Sequence, residues 1–568
     1  MTARDQTSAR TSKGAPGVFA AAGLIAVVTL GARVFGFGRW LVFSQSVGAT
    51  CVGSVYQAAN QLPNVVFEVA AGGALAAVAV PIIASQLARN DQTAATQTAS
   101  AMLTWALTVL VPLSILMAAA AAPLSAFLVD SQKCSGSTDL MTSMVVVFAP
   151  QIALYGVGIV LAGVLQAHRR FLAAAMAPLL SSVVVITTYL LYAAMAQGKG
   201  NDLERLPSQA STVLAAGTTL GVVALSLPLL VPIHRIGIGL RPTWTFPDGV
   251  AKRARALAGA GLLALVAQQV AVLVTLWVSQ HRGGTGTLNV YTYVQAVYLL
   301  PYAVLAVPIA TAAFPAMAMG PDRTSVVPLG SSKSARATGS DPMVVERVQG
   351  TLVASVRAIT VATCTGAAVL FAVAGPAGAF FSALDAGRHS PAGQEALAAL
   401  PGALSAFAPG LVGFGLAALL TRALYIQGRP AVAGGVVALG WLIAAIVPLV
   451  ILQDGAGPRN TLQLLGFASS LGMTVAAIGL IIAVHRAWGP GTFRGLGRSA
   501  AVAAGSGVTF AAVGRALAGA LHPRGAAAGA SVALLVAMAV GTLCLVSIWA
   551  GDRESAQLVA AKFRRRGR

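Results

Sequence analysis

The chain has 568 residues, of which 57% are hydrophobic and only 9% are charged. A soluble globular domain carries about 25% charged residues, so this composition excludes a soluble enzyme, a disordered chain and a secreted disulfide scaffold. Lys and Arg number 37 against 16 Asp and Glu, for a net charge of +21, and in so apolar a chain this excess indicates membrane orientation rather than nucleic-acid binding.

Fourteen stretches are long and apolar enough to be membrane helices, which predicts an all-α polytopic membrane protein. The first is not a cleaved signal peptide, because its apolar run continues through Leu41, Val42 and Phe43 without a small-residue cleavage site. We number the predicted helices α1 to α14 in chain order, at 18–46, 52–86, 98–129, 141–167, 171–196, 210–233, 256–280, 287–318, 348–382, 396–427, 430–453, 461–484, 499–520 and 526–551.

The cationic residues alternate along the chain in a way that predicts its orientation. Of the 37 Lys and Arg residues, 26 lie in or next to the amino-terminal segment 1–17, the loops after even-numbered helices and the tail 552–568, and only eight lie in or next to the other loops. Both termini are therefore predicted to be cytoplasmic. The basic segment 248–255 before α7 is expected to contact anionic lipid at the cytoplasmic face, and no nucleic-acid partner is expected.

Two similar stretches predict an internal repeat. Pro63 and Pro81 bracket an apolar stretch of α2, and Pro301 and Pro315 bracket a similar one in α8. Two six-helix lobes related by a parallel repeat, with α13 and α14 outside it, would form a transporter whose substrate binds between the lobes. The predicted boundaries are 18–238 for the first lobe, 239–490 for the second and 491–551 for the additional pair.

Arg33 and Arg39 lie within α1. Each would cost about 2.5–3.5 kcal/mol near the centre of a membrane helix, so intramembrane arginines mark pairs or water-filled sites. Gly36 and Gly38 between them would let α1 bend and bring the two guanidinium groups together. Such a pair would bind phosphate or pyrophosphate, whose oxygens fit the guanidinium fork. Arg39 could instead extend to the membrane interface.

Glu68 lies in the middle of α2. It could form an ion pair with an arginine of α1, or a proton or cation site within the cavity. Proline and glycine in a helix leave backbone carbonyl groups without a hydrogen-bond partner. A membrane helix tolerates such groups only where they face protein or water. The predicted hinge residues beside Gly36 and Gly38 are Pro63, Gly72, Gly73 and Pro301.

Polar side chains in α2 and α8 complete the predicted substrate cavity: Gln57, Asn60 and Gln295. Residues of this kind also hold membrane helices together by hydrogen bonds.

No catalytic motif and no metal-ligand spacing occurs in the sequence, so we expect a transporter with no enzymatic activity, metal or cofactor. Transport energy would come from the membrane potential or a monovalent-cation gradient. Of the four cysteines, Cys134 lies in an outer loop and Cys51, Cys364 and Cys544 lie in or beside predicted helices. Because Cys134 then has no partner on its own side, no structural disulfide is expected.

Five stretches resemble the MurJ/MviN family, the lipid II flippases of the multidrug/oligosaccharidyl-lipid/polysaccharide exporter superfamily. They are ARVFGFGRW in α1, NQLPNVVFEVAAGGALAAVAVP in α2, LAGVLQAHRRFLAAAMAPLL across α4 and α5, LPYAVLAVPIATAAFPAM in α8, and LLTRALYIQGRP after α10. The resemblance implies two lobes around a central cavity in the cytoplasmic membrane and an undecaprenyl-pyrophosphate-linked glycopeptide as substrate. It also implies a groove for the lipid tail at α13 and α14, and cell-wall synthesis proteins as partners.

The charged cavity positions of the family match this sequence in part. Arg33 and Arg39 match the arginine pair of α1, which implies that they hold the pyrophosphate. The other charged positions of the family differ here: its α2 arginine falls at Phe67 or Glu68, its α8 arginine at Ala296, and two of its acidic residues at Trp40 and Ser54. The cavity is therefore expected to be less positive than in the well-known members.

These patterns predict a protein that flips lipid II to the outer leaflet by alternating access. An exporter of another polyprenyl-pyrophosphate-linked glycan, or a cell-wall scaffold that transports nothing, would share the same sequence features. A drug or cation antiporter would have twelve helices and an acidic cavity. A membrane glycosyltransferase would need clustered outer-loop carboxylates, whereas those of this chain lie in separate short loops.

Overall fold

A computed structural model describes residues 31–32, 34–248, 250, 261–318, 342–385 and 391–552. Within these ranges the protein is helical and contains no strand, which confirms the predicted all-α fold. Arg33, the segment 1–17, nearly all of the basic segment 248–255 and the tail after Asp552 lie outside the described residues.

Each of the fourteen predicted intervals contains helix among the described residues, and we keep the labels α1 to α14 for them. Several are built from two or three consecutive helices. The bounds are 34–46 for α1, Cys51–Phe67 and Gly73–Leu87 for α2, Gln92–Ala119 and Ala121–Leu128 for α3, Ser137–Phe148 and Gln151–Ala167 for α4, Phe171–Ala196 for α5, Ser208–Ser226 and Leu230–Arg235 for α6, Leu262–Val278 for α7, Thr287–Pro301 and Val307–Ala318 for α8, Pro342–Leu384 for α9, Pro391–Ala398, Leu400–Phe407 and Gly410–Ile426 for α10, Pro430–Ile451 for α11, Gly457–Trp488 for α12, Leu496–Ala520 for α13 and Ala526–Gly551 for α14.

Eleven helices of the described chain are long and apolar enough to cross a membrane. A twelfth is formed if Pro391–Phe407 and Gly410–Ile426, which meet at a bend of 49°, make one span. The chain is therefore a multi-pass membrane protein. The number of fourteen crossings and the cytoplasmic position of the termini stay predictions.

The two predicted break points in α2 and α8 both contain a π-helical turn. In α2 it covers Glu68–Gly72, after Pro63, and in α8 it covers Tyr302–Ala306, directly after Pro301. Gly72 ends the first π-turn and Gly73 follows it, so three of the predicted hinge residues adjoin a π-turn, whereas α2 passes through Pro63 as regular helix.

Most helix packing occurs within two groups. In the first, α4 packs on α2, α3 and α6, and α5 packs on α6. In the second, α12 packs on α10 and α11, α11 on α7, and α9 on α8 and α10. The helices α13 and α14 pack along α9 and on each other. Their shared core, which includes Ala372, Val536 and Cys544, attaches the C-terminal pair to the flank of the second group. The exact lobe boundaries stay predictions.

A buried ion pair fastens this C-terminal pair to α9. Arg357 and Asp552 are 9% and 4% exposed, and their Nη2 and Oδ2 atoms are 3.6 Å apart. The hydroxyl of Ser499 accepts a hydrogen bond from Arg357 Nε and donates one to the Asp552 carboxylate. A buried charge is tolerated when it is paired and hydrogen-bonded. This third intramembrane arginine is therefore part of helix packing.

The prediction that the chain has no disulfide was wrong. Cys51 and Cys134 form a disulfide, with Cα atoms 6.3 Å apart, within the range that the bond requires. Cys51 is the first residue of α2, so its thiol lies at the predicted outer end of the helix, beside the α3–α4 loop that carries Cys134. Cys51 directly precedes predicted α2, on the same predicted outer side as Cys134, so the partner was missed because Cys51 was assigned to the membrane span.

We expect the disulfide to be detected by thiol counting. Protein purified without reductant and denatured should react with a mass-adding maleimide at two cysteines, Cys364 and Cys544, and at all four after reduction. Variants with Cys51→Ser or Cys134→Ser should each show three reactive thiols without reduction. Four reactive thiols in unreduced wild-type protein would contradict the assignment.

Candidate functional site

The loop between α1 and α2 is held against the second helix group at the predicted outer end of the molecule. Asn289, at the start of α8, donates a hydrogen bond from Nδ2 to the carbonyl of Gly48. The Asp385 carboxylate, after α9, accepts one from the Ala49 backbone N–H at 3.3 Å. Gly48 has φ +69°, and a Cβ there would lie 2.0 Å from the Asp385 carboxylate oxygen. Only glycine fits this position without displacing the carboxylate.

Ser54, one turn into α2, makes a second set of contacts with the same group. Its hydroxyl accepts a hydrogen bond from the Gly286 N–H at 2.8 Å, and its carbonyl accepts one from Gln280 Nε2 at 3.1 Å. We call these contacts, from Gly48, Ala49 and Ser54 to Gln280, Gly286, Asn289 and Asp385, the outer latch. They join sequence segments more than 200 residues apart.

Lys133 adds a cationic contact beside the latch. Its ammonium group donates to the backbone carbonyls of His281 and Gln280, and it directly precedes the disulfide-bonded Cys134. Burial lowers the pKa of Lys133, and the charges of Asp130 and Asp454 oppose that shift. The disulfide thereby fixes a loop that reaches from the first helix group to the second.

Five aromatic side chains lie next to the latch in the interior. Phe43 of α1 stacks on Tyr56 of α2 with ring centroids 5.7 Å apart and meets Tyr189 of α5 edge-on at 5.3 Å. Across the groups, Phe43 meets Tyr293 of α8 at 6.3 Å, and Tyr293 stacks on Phe381 of α9 at 4.9 Å. All five are at most 3% exposed. This aromatic plug fills the space between the two groups and leaves no route for a polar head group there.

Arg39 lies one helical turn before Phe43 in α1, on the cytoplasmic side of the plug under the predicted orientation. Its guanidinium stands over the Trp40 ring, 5.5 Å from the ring centroid. The Arg39 Nε atom is buried and has no hydrogen-bond partner in the described part of the chain. A buried donor without an acceptor costs about 1–3 kcal/mol, and more when it is charged, so this position suits an anionic ligand.

The polar residues predicted to line the cavity have different environments. Gln57 is 2% exposed, and its amide nitrogen has no partner among the described residues. Asn60, one turn further along α2, is partly exposed. Gln295 donates to the Tyr291 hydroxyl of its own helix at 3.0 Å. Gln57 thus resembles Arg39 in keeping a buried donor free, whereas Gln295 is engaged within α8.

Glu68 opens the π-turn of α2, and its carboxylate folds back over Gly72. A Cβ on Gly72 would lie 2.5 Å from the carboxylate oxygen, so glycine makes the room that this side chain occupies. No Lys or Arg of the described chain lies within 4.0 Å of Glu68. The alternative of an ion pair with Arg39 is therefore wrong for this conformation. Pairing with Arg33, and the joining of Arg33 with Arg39, stay predictions.

The predicted bend in α1 is not formed in this conformation. The helix runs without a break from residue 34 to residue 46, through both Gly36 and Gly38. A Cβ on either glycine would meet nothing within 4 Å, so neither is required for close packing here. Their role as hinge residues stays a prediction.

The latch and the plug were not predicted from the sequence. Asp385 is one of the outer-loop carboxylates that lie in separate short loops, and Asn289 and Tyr293 belong to no motif. A signal was present in Gly48, because a glycine in a short outer loop between two membrane helices is typical of a tight turn.

Comparisons with known proteins agree with this architecture. The family model for the lipid II flippase MurJ matches residues 43–526, so the resemblance inferred from the motifs is confirmed. The probable lipid II flippases MurJ of Rhizobium tropici and of Rhizobium meliloti strain 1021 are 26% and 27% identical over 297 and 299 residues. Each alignment covers 51% of this chain and 53% of the relative, so the chain spans about half the length of the curated relatives it matches.

Solved structures show the same fold. A lipid II flippase MurJ in an inward closed conformation superposes with a TM-score of 0.67 at 14% identity, over 93% of this chain and 98% of that one. An inward-facing multidrug resistance transporter of the MATE family, in the MOP superfamily, gives 0.58 at 14% identity, over 81% of this chain and 98% of that one. At these identities the likeness concerns the fold alone.

We expect that weakening the outer latch exposes the interior to the outer side. Asn289→Ala combined with Asp385→Ala removes two hydrogen bonds between the helix groups, each worth about 0.5–1.5 kcal/mol, so the outward-open fraction should rise about tenfold. The reporter is Gln57→Cys, labelled in intact cells with a membrane-impermeant maleimide. Thr212→Ala, which changes an exposed hydroxyl of α6, serves as control. Equal labelling rates with and without the latch substitutions would show that the latch does not hold the outer side closed.

Proposed function

Since the chain belongs to the lipid II flippase family MurJ, we propose that it moves lipid II from the inner to the outer leaflet of the cytoplasmic membrane by alternating access. The observation that carries the proposal is Arg39, a partly exposed cation whose buried Nε has no partner in the described chain and which adjoins the plug between the helix groups. A pyrophosphate oxygen arriving from the cytoplasmic side would satisfy this donor.

The outer latch and the aromatic plug would stabilise the conformation of the transport cycle that is closed to the outer side. The latch consists of a few hydrogen bonds, each worth about 0.5–1.5 kcal/mol net. Substrate binding that favours the opposite conformation by a few kcal/mol is enough to exchange the two states. The π-turns of α2 and α8 offer points at which these helices can bend, because π-turns often lie at functional sites and relax the helix locally.

A second candidate is export of another polyprenyl-pyrophosphate-linked glycan. It is favoured by the neutral residues where the family resemblance places charges: Trp40 stacks with Arg39, and Ser54 is engaged in the outer latch. Both candidates need the pyrophosphate contact at Arg39. They differ in which lipid-linked intermediate accumulates in the inner leaflet when the protein is depleted.

Depletion in the native host, followed by a leaflet assay of lipid-linked intermediates, is expected to trap lipid II in the inner leaflet. Accumulation of a different polyprenyl-linked glycan would favour the second candidate. Normal flipping of lipid II in depleted cells that have no redundant flippase would contradict the proposal.

Complementation tests the role assigned to Arg39. Arg39→Ala should reduce lipid II transport about 10- to 100-fold, because it removes charge-assisted hydrogen bonds worth about 1.5–3 kcal/mol. Arg39→Lys should retain part of the activity, since it keeps the charge and loses the guanidinium fork. Arg205→Ala, at an exposed outer arginine, is the matched control. Full activity of Arg39→Ala at normal membrane abundance would exclude Arg39 as a substrate ligand.

We further propose that Glu68 is the proton or monovalent-cation site that couples transport to a gradient. Its carboxylate lies at the π-turn without a cationic partner in the described chain. In vesicles with an imposed gradient, Glu68→Gln should transport at a rate independent of that gradient, while wild-type transport should change with it. A Glu68→Gln variant that responds to the gradient as the wild type does would place the coupling elsewhere.

A further inference from the structure

A cavity of about 460 Å³ lies between α9, α13 and the loop after α13. Gly375 of α9 and Gly519 of α13 line it, and a Cβ on either glycine would meet nothing within 4 Å. Arg515, His522 and Arg524 stand around the same space. The cavity therefore combines open room with three side chains that can donate hydrogen bonds to an anion.

Arg515 is held in place at this cavity. Its Nη1 atom donates to the Ser405 hydroxyl at 2.8 Å, and its guanidinium lies over the Phe371 ring, 4.8 Å from the centroid. The side chain is nevertheless exposed, so other guanidinium N–H groups can reach a ligand. The same Nη1 atom also donates to the Phe371 carbonyl at 3.4 Å, and an arginine fixed by two hydrogen bonds and one ring contact is pre-organised to bind.

The arginines of this cavity differ from three of the other cations on the predicted outer side. Lys133, Arg205 and Arg282 each lie within 4.0 Å of an aspartate carboxylate. Neither Arg515 nor Arg524 has a carboxylate within that distance in the part of the chain that the structure describes. Two adjacent cations without a counter-charge create a positive potential that favours an anionic ligand.

The loop that carries Arg524 adopts an unusual backbone. His522 has φ +40°, in the left-handed region that residues other than glycine rarely enter. Its Nδ1 atom is 2.9 Å from the Ala520 carbonyl. A residue held in this conformation costs about 1–3 kcal/mol and is often found at ligand sites.

The depth of Arg515 favours a lipid over a soluble anion. It lies five residues before the end of α13 at Ala520, which is about 8 Å along the helix, a distance similar to the thickness of one headgroup layer. On the same helix and its end, Val513, Leu517 and Leu521 are 46%, 54% and 58% exposed. Acyl chains can cover these side chains while the phosphate remains beside the arginines.

We propose that this cavity binds the phosphate group of an anionic phospholipid in the outer leaflet, with Arg515 and Arg524 as the donors. The bound lipid would contact α9 and α13, and so would link the second helix group to the C-terminal pair. This proposal does not depend on the transported substrate.

The test uses the purified full chain in neutral detergent, titrated with dioleoylphosphatidylglycerol and followed by native mass spectrometry. Wild-type protein should retain one tightly bound lipid, and Arg515→Gln with Arg524→Gln should weaken that binding at least tenfold, since charge-assisted hydrogen bonds are lost. Gly519→Leu, which fills the cavity without a change of charge, should weaken it comparably. Arg459→Gln, at an exposed outer arginine outside the cavity, should bind as the wild type does.

A second arm distinguishes a lipid from a free anion. Inorganic phosphate or pyrophosphate, added at the concentration that saturates the protein with lipid, should not displace the bound phosphatidylglycerol. Displacement by either ion would overturn the assignment to a lipid. Unchanged binding in the double variant, or an equal loss in Arg459→Gln, would overturn the site. If Arg515→Gln disturbs folding, the single variant Arg524→Gln, in an exposed loop, replaces the double variant in the titration and should also weaken lipid binding.

Discussion

The contact between Phe43 and Tyr293 is the constraint on which this conformation depends. It joins α1 to α8, and through Tyr56, Tyr189 and Phe381 it draws five helices around one apolar centre. The aromatic side chains can separate and pack again during the cycle, because their attraction comes mainly from buried area and depends little on direction. The outer latch fixes the relative position of the two helix groups, because Gly48, Asn289 and Asp385 make their contacts in only one arrangement. Together they place Arg39 at the closed end of the proposed path.

Charge is used sparingly and in distinct ways in this membrane protein. Arg357 is neutralised by Asp552 and holds helices together. Arg39 stacks on Trp40 and keeps a buried donor free, which is costly unless a ligand completes the site. Arg515 and Arg524 lie without carboxylate partners in the described chain, at a cavity of suitable depth for a lipid phosphate. The net charge of +21 therefore describes mainly membrane orientation, and a few individual arginines bear on function.

Local features of this protein could be predicted from the sequence, whereas contacts between distant residues could not. Arg39, Glu68 and the breaks near Gly72 and Pro301 are visible because charge, proline and glycine are conspicuous in an apolar helix. The hydrogen bond from Asn289 to Gly48 spans 241 residues, and no local pattern indicates which loop will face which helix. The disulfide was missed for a different reason: Cys51 directly precedes predicted α2, on the same predicted side as Cys134, but was assigned to the membrane span.

The most direct test of the account is transport by the purified full chain in vesicles that contain lipid II and no other protein. Lipid II is added to one leaflet, and its appearance in the opposite leaflet is measured with an impermeant probe. We expect transfer that depends on the protein and is strongly reduced by Arg39→Ala. Transfer no faster than in protein-free vesicles, from folded protein supplied with an ion gradient, would contradict it.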